Sequence, residues 1–228
     1  MQYMGSKNKI SKYILPLILK NRNDRVYIEP FVGGCNMIYK VGGRRIGSDT
    51  NKYLIAMWKA LQNGWIPPTE VTREFYYEIK ANSDIYSPEL VGFVGFLCSF
   101  GGKWWGGFAF NNNGDNYAAR GSRVLTKQIK SLLDVEFRCC SYLDLELPDN
   151  SLIYCDPPYA DTTKYKDDFY HPEFWQWCRN KKAEGHTVFI SEYTAPEDFE
   201  CILEIEHKTI SDKNSQYKRI EKLFTYNN

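Results

Sequence analysis

The sequence lacks several features that would each place it in a familiar class. It has no Gly-x-Gly-x-x-Gly segment, so a dinucleotide pyrophosphate would have no glycine-rich cradle. Its 7 cysteines include no Cys-x-x-Cys pair and its 3 histidines are scattered, which indicates neither a disulfide framework nor a zinc site. It has no run of about 18 apolar residues, and its first residues lack the sections of a secretory signal. We therefore expect an intracellular, cytoplasmic protein that binds no metal and no membrane.

An excess of charge of one sign is also missing. The 29 basic and 28 acidic residues leave a net charge of +1, so the whole-chain charge gives no argument for a nucleic-acid partner. Hydrophobic residues make up 43% of the 228 residues, which is typical of a folded chain with a large core. These values predict one compact enzyme, built as one domain with an insertion or as two small domains.

The most informative feature that is present is Asp156-Pro157-Pro158-Tyr159, which directly follows the apolar run 152–155. The run predicts a buried strand, and two prolines without a backbone N–H end it. In open α/β sheets, ligands bind at the carboxyl ends of the strands, which is where this motif lies. Asp156 and the Pro157 carbonyl offer hydrogen-bond acceptors, and Tyr159 offers a stacking face. The set suits a flat ligand with an exocyclic amine, although an ordinary turn can have the same composition.

A second motif has the same arrangement of strand and turn. A β-branched strand at 26–28 runs into Glu-Pro-Phe-Val-Gly-Gly at 29–34, where the glycines permit a tight turn and close approach of a ligand. The next strand ends at Asp49, an acid placed to bind ribose hydroxyls. Because the phosphate cradle is missing, we expect a cofactor without phosphates. S-adenosylmethionine fits, with its ribose at Asp49 and its amino-acid end at the glycine turn and at Glu29 or Asp156.

These motifs resemble those of the Dam-like (D12 class) DNA adenine-N6 methyltransferases of bacteria and bacteriophages. Asp-Pro-Pro-Tyr is the catalytic motif of that class, so the resemblance implies catalytic roles for Asp156, Pro157, Pro158 and Tyr159. The start Tyr-Met-Gly-Ser-Lys at 3–7 is similar to the N-terminal motif of the class. Together, the residues and the resemblance give these cofactor-binding candidates: Tyr3, Lys7, Glu29, Phe31, Gly33, Gly34, Asp49, Tyr142 and Asp156.

Strand and helix patterns alternate on both sides of a mainly helical segment. The patterns predict helices near 7–21, 35–41, 71–82, 88–100, 123–133 and 172–184, and a further helix capped by Asn51. They predict strands near 25–29, 44–48, 135–139, 152–155, 187–191, 203–210 and 219–226. We therefore expect an α/β fold with a doubly wound, mostly parallel sheet of the Rossmann-like methyltransferase type. The catalytic domain would comprise 1–64 and 135–228, with a helical target-recognition insertion at 65–134.

The glycine-rich stretch that starts at residue 101 combines basic and aromatic side chains. Between Lys103 and Lys130 the chain has five bases and one acid, interleaved with tryptophan, phenylalanine and tyrosine. This mixture suits phosphate contacts and stacking, so we expect double-stranded DNA as the partner. An ordered surface loop packed by its own aromatics is the alternative. The DNA-binding candidates are Lys103, Trp104, Trp105, Asn112, Arg120 and Arg123.

The resemblance implies that the methyl group of S-adenosylmethionine is transferred to the N6 amine of adenine in a specific DNA sequence, after base flipping. Cytosine N4 is the nearest alternative target, because the lone pair of that exocyclic amine is likewise delocalised into its ring. RNA or a protein amide is a further alternative target. An inactive nucleic-acid-binding protein on the same fold and a nicotinamide oxidoreductase are alternatives from other classes. The recognised bases, the oligomeric state and a role in restriction-modification, regulation or phage defence stay open.

Overall fold

A seven-stranded sheet forms the centre of the part of the protein described by a computed structural model, namely residues 1–110, 114–158, 169–212 and 215–226. Its strands are β1 (Tyr27–Glu29), β2 (Arg45–Asp49), β3 (Val135–Cys139), β4 (Leu152–Cys155), β5 (Thr187–Glu192), β6 (Glu200–Asp212) and β7 (Ser215–Thr225). Their order is β3-β2-β1-β4-β5-β7-β6. The first five strands are parallel, and β7 is antiparallel to β5 and β6. The predicted mostly parallel α/β sheet is confirmed.

The helices flank this sheet and also fill the segment between β2 and β3. They are α1 (Ser11–Leu19), α2 (Lys52–Gln62), α3 (Arg73–Ala81), α4 (Pro88–Leu97), α5 (Tyr117–Ile129) and α6 (His171–Ala183). Asn51 caps α2 as predicted, since its side chain accepts from two backbone N–H groups of the first turn. The described part of the segment 65–134 is mainly helical and contains no named strand, whereas its division from the rest as a recognition domain stays a prediction. Of the helices described, none has the length and apolar character needed to span a membrane.

Three of the predicted elements differ from the structure. The helix predicted at 123–133 instead spans Tyr117–Ile129, because the side chain of Asn116 caps it by accepting from the backbone N–H of Ala119. The helix expected at 35–41 is wrong: only a short 3-10 turn forms at Ile38–Lys40. The reason is the tight turn before it, in which Cys35 has a φ of +54°, outside the helical region. The final hairpin is longer than predicted, and β7 pairs with β5 only through 222–225. Its earlier residues pair with β6 alone, so the hairpin extends beyond the carboxyl edge of the parallel strands.

Both faces of the sheet are covered, which explains why the central strand β4, Leu152–Cys155, is apolar and buried throughout. Tyr27 and Tyr154 belong to the larger buried cluster, which includes helices α1, α2, α4 and α5. Their neighbours in the same strands, Ile28 after Tyr27 and Ile153 before Tyr154, belong to a second cluster formed with α6. This alternation is the period of two expected of strands.

The strand order places the two predicted motifs side by side. β1 pairs with β2 on one side and with β4 on the other, so the chain direction across the sheet reverses between β1 and β4. In open α/β sheets, ligands bind at the carboxyl ends of the strands at such a switch point. The glycine turn follows β1, and Asp156 follows β4. The fold therefore brings both motifs to one crevice.

The contact between α2 and α4 depends on Gly92. A Cβ at this position would lie 2.3 Å from the backbone oxygen of Tyr53 and 3.1 Å from the Cβ of Met57. We expect Gly92→Ala to lower the free energy of unfolding by about 2 kcal/mol, because overpacking against backbone outweighs the gain of about 1 kcal/mol in helix propensity. Denaturant titration measures this change. Gly42→Ala is the control, since its Cβ would meet nothing within 4 Å; equal effects of the two substitutions would contradict the account.

Candidate active site at the carboxyl edge of the sheet

Asp49 holds the glycine turn in place from the end of β2. Its Oδ2 accepts the backbone N–H of Gly33 at 3.2 Å, and its Oδ1 accepts that of Asn51 at 2.9 Å. Burial raises the pKa of Asp49, while these backbone hydrogen bonds act in the opposite direction. The carboxylate is half-buried, so it stays at the surface of the crevice. Asp49 therefore links the ends of β1 and β2, and a carboxylate in this place suits a ribose.

The carbonyls of the same turn are fixed by side chains from two helices. The buried indole Nε1 of Trp58 donates to the Gly33 carbonyl at 3.1 Å. Gln128 Nε2 donates to the carbonyls of Gly34 and Cys35 at 3.0 and 3.1 Å. A turn whose donors and acceptors are satisfied in this way is preorganised for a ligand.

Tyr3 packs directly on the two glycines. A Cβ at Gly33 would lie 2.7 Å from the Tyr3 ring, and a Cβ at Gly34 would lie 2.7 Å from the Tyr3 Cβ. Gly33 also has a φ of +44°, which other residues rarely adopt. Both glycines are therefore needed so that the N-terminal motif can lie against the turn.

Lys7 connects the N-terminal motif to the Asp-Pro-Pro motif. Its Nζ lies 2.9 Å from Asp156 Oδ1, and the side chains of Lys7 and Asp156 are 5% and 24% exposed. Glu221 of β7 also contacts this ammonium, at 3.3 Å. Burial alone would lower the pKa of Lys7, but the two carboxylates raise it above its ordinary value. Lys7 is therefore a charged residue at the centre of the crevice.

Glu29 lies beneath this ion pair at the end of β1. It is 3% exposed, and its Oε1 accepts the hydroxyl of Tyr27 at 2.8 Å. Burial, together with the charge of Asp156, raises the pKa of Glu29 to about 8, while the hydrogen bond from Tyr27 acts in the opposite direction. Glu29 is thus close enough to Asp156 for their charges to interact.

The aromatic candidates Phe31 and Tyr142 contact each other. Their ring centroids are 5.4 Å apart, and Tyr142 is only 7% exposed among Phe31, Phe174 and Trp177. A ring stacked between two others needs about 7 Å, twice an optimal van der Waals separation. An adenine would therefore lie against half-buried Phe31 and not between the two rings. The contact of Tyr142 with a cofactor stays a prediction.

The DNA-binding candidates lie in two different environments. Arg120 and Arg123 are exposed on α5, and Arg120 donates to Gln2 at 3.0 Å, next to the N-terminal motif. Lys103 is exposed as well. Trp104 and Trp105 are half-buried, with their rings against Tyr53, Phe96 and Tyr76. The tryptophans therefore stabilise the loop, and the DNA contact of these five residues stays a prediction.

Two candidates, Tyr159 and Asn112, lie outside the described residues. Pro157 is buried and Pro158 is half-buried directly after Asp156, as expected where a strand ends. The sequence reasoning missed three contributors that the structure brings to the crevice, namely Glu221, Trp58 and Gln128. No local signal marks them, because each contacts the site only through the fold. The described residues contain no group of three or more His, Cys, Asp or Glu side chains placed to hold a metal ion.

The strand order defines a Rossmann-like α/β protein in which the predicted site residues lie at the switch point of the sheet. The sequence profile of the D12 class N6 adenine-specific DNA methyltransferases matches residues 3–89. This range contains the N-terminal motif, the glycine turn and Asp49, so the resemblance predicted from these motifs is confirmed there. The profile match ends before Asp156.

One relative and two solved structures add to this comparison. The type II methyltransferase M.FokI of Planomicrobium okeanokoites is 24% identical over 208 residues, which cover 74% of this chain. The chain spans 30% of the length of that relative. The tRNA (m1A58) methyltransferase TrmI of Aquifex aeolicus has a TM-score of 0.42 and 11% identity, covering 99% of this chain and 70% of its own. The rRNA methyltransferase aviRa of Streptomyces viridochromogenes has a TM-score of 0.45 and 12% identity, covering 98% and 86%.

The raised pKa of Glu29 predicts a pH-dependent stability. Its folded pKa of about 8 lies above its ordinary value of 4.5, so its contribution to stability is complete below pH 4.5 and is lost as the pH rises through 8. We expect the free energy of unfolding, relative to that of Glu29→Gln, to fall by about 2 kcal/mol between pH 6 and pH 8. Denaturant titrations of both proteins at several pH values measure this. A difference that stays constant over this range would contradict the assignment.

Proposed function

We propose that this protein transfers the methyl group of S-adenosylmethionine to the N6 amine of adenine in double-stranded DNA. The observation that carries the proposal is the ion pair between Lys7 and Asp156, at 2.9 Å, beside a glycine turn that Tyr3 covers. Three motifs that are far apart in the chain thus converge on one crevice at the switch point. The profile match to adenine-specific DNA methyltransferases and the similarity to a type II methyltransferase support the same chemistry.

The charge of the crevice supports S-adenosylmethionine as the cofactor. Two acids, Asp156 and Glu221, pair with one cation, Lys7, and a third acid, Asp49, ends β2 at the same carboxyl edge of the sheet. The cofactor carries a sulfonium and an ammonium against one carboxylate, so its net positive charge complements this surplus of acids. Asp49 would hold the ribose and Phe31 would contact the adenine, while the turn at Gly33 and Gly34 would meet the amino-acid end. When bound, the cofactor supplies an electrophilic methyl group.

Asp156 and the Pro157 carbonyl would hold the amine that receives the methyl group. The lone pair of an exocyclic amine is delocalised into its ring, and acceptors that hold its two hydrogens turn that lone pair towards the methyl carbon. A carboxylate has about four lone-pair sites, so Asp156 can accept from Lys7 and from the amine together. The nitrogen becomes acidic only as it gains the methyl group. Asp156 therefore acts chiefly by position and charge, and the cation at Lys7 keeps it ionised.

The DNA would approach from the side of α5 and the N-terminal motif. An adenine inside a duplex cannot bring its N6 to the crevice, so the base has to be flipped out of the stack. Arg120 and Arg123 are exposed in the first half of α5, where they can contact phosphates on either side of the flipped base. The mainly helical segment 65–134 would then serve as the target-recognition part of the enzyme. A role of the enzyme in restriction-modification stays a prediction.

Asp156→Asn is expected to lower methyl transfer to DNA by about 100- to 1000-fold, because the neutral amide loses the charge that binds the amine hydrogens. Transfer of labelled methyl groups to duplex DNA measures the rate, and thermal unfolding checks the fold. Asp149→Asn, an exposed acid before β4, is the matched control and should leave the rate unchanged. A variant at Asp156 that kept the wild-type rate would rule out its assigned role. Calorimetry of the wild-type protein with S-adenosylmethionine distinguishes an enzyme, which binds the cofactor, from an inactive nucleic-acid-binding protein on the same fold, which would not bind it.

Removing the two arginines of α5 is expected to reduce the salt dependence of DNA binding. Each phosphate contact adds about 0.9 to the slope of log K against log salt concentration, so the double substitution Arg120→Gln with Arg123→Gln should lower the slope by about 2. Fluorescence anisotropy at several salt concentrations measures the slope. Lys59 is an exposed base near the C-terminal end of α2, and Lys59→Gln should leave the slope unchanged. An unchanged slope in the double variant would place the DNA elsewhere.

A further inference from the structure

Glu221 reaches the crevice from a strand that carries none of the predicted motifs. It lies on β7, opposite Ile205 of β6 and one residue before Lys222, which pairs with the last residue of β5. This register places Glu221 just beyond the carboxyl edge of the parallel strands. Its side chain is nevertheless only 4% exposed, because it points to the buried ammonium of Lys7. A buried carboxylate at this position requires an explanation, since burial without a partner costs several kcal/mol.

The ammonium of Lys7 has three acceptors around it. Nζ lies 2.9 Å from Asp156 Oδ1, 3.3 Å from Glu221 Oε1 and 3.1 Å from the carbonyl oxygen of Gly5. An ammonium has three N–H donors, so each of these three acceptors can receive one of them. The direction of the bond to Asp156 is therefore fixed by the other two acceptors as well.

We propose that Glu221 is a positioning residue for methyl transfer, which acts on Asp156 through Lys7. This inference rests on the proposed function and assigns a role within the same site. Glu221 fixes the position of the ammonium, and it shares the charge of that ammonium with Asp156. Asp156 is therefore not committed to a one-to-one ion pair and remains a strong acceptor towards the adenine amine.

Loss of the Glu221 charge would change the site in two ways. Lys7 would lose a charged acceptor that fixes its position, and more of its attraction would then act on Asp156. The stronger pairing would lower the ability of Asp156 to bind the amine hydrogens in the transition state. Among the described titratable groups, Glu29 on β1 and Tyr154 and Cys155 on β4 also interact with Asp156, and all three stay in place in the variant.

Glu221→Gln tests the proposal because glutamine has nearly the same shape and keeps an oxygen for Lys7. We expect kcat to fall by about 10-fold, while KM for DNA stays within about twofold. We also expect the acid limb of the pH profile of kcat to move to lower pH, because Lys7 then stabilises the ionised form of Asp156 alone. Glu221→Asp keeps the charge, so it should restore the acid limb towards its wild-type position. It also provides the test if Glu221→Gln does not fold.

Two further variants distinguish a positioning role of Glu221 from a merely structural one. Glu204→Gln removes a neighbouring carboxylate of the same hairpin, one that pairs with Lys222 at 3.0 Å and is 55% exposed, and it should change neither kcat nor the pH profile. The double variant of Lys7→Met and Glu221→Gln should be no slower than Lys7→Met alone, because Glu221 acts through Lys7. If the rate losses caused by the two single substitutions multiplied in the double variant, the proposal that Glu221 acts through Lys7 would be wrong.

The outcomes also separate this inference from the proposed function. A wild-type protein that transfers no methyl group to DNA would remove both. A wild-type enzyme that is active, together with a Glu221→Gln variant that equals it in kcat and in the acid limb, would remove the positioning role alone.

Discussion

The site depends on one interaction, the ion pair between Lys7 and Asp156. Taking both charges out of water is costly, so the pair persists only where the fold holds the two groups together and adds further acceptors. The strand order supplies this condition, because β1 and β4 are neighbours and their ends share one crevice. The packing of Tyr3 on the glycine turn brings Lys7 to the same place. The glycines, the N-terminal motif and the Asp-Pro-Pro motif thus act as one unit.

The crevice contains more acid than base, and this surplus has consequences for both chemistry and stability. Asp156 and Glu221 pair with one ammonium, and the pKa of the buried Glu29 is raised to about 8 by its burial and by the charge of its neighbour Asp156. The proposed cationic methyl donor would offset this surplus. The same surplus weakens the fold at high pH, which is a cost commonly found at functional sites.

Much of this arrangement could be predicted from local patterns. The strands were readable because burial on both faces demands continuous apolar runs, and the cap at Asn51 was readable because its chemistry is local. The helix expected at 35–41 failed because the positive φ of Cys35 comes from the turn and not from the apolar spacing. Glu221 was missed for a different reason. Its partner lies at the other end of the chain, and no spacing within β7 signals a contact that only the sheet order creates.

The most direct test of the account is the identity of the product. Duplex DNA incubated with the protein and S-adenosylmethionine can be digested to nucleosides, and mass spectrometry then distinguishes methylated adenine from methylated cytosine. We expect the wild-type protein to form N6-methyldeoxyadenosine. This product should be absent when the cofactor is withheld. N4-methyldeoxycytidine would contradict the assigned target, and unmodified DNA from a folded protein that binds the cofactor would contradict the assigned chemistry.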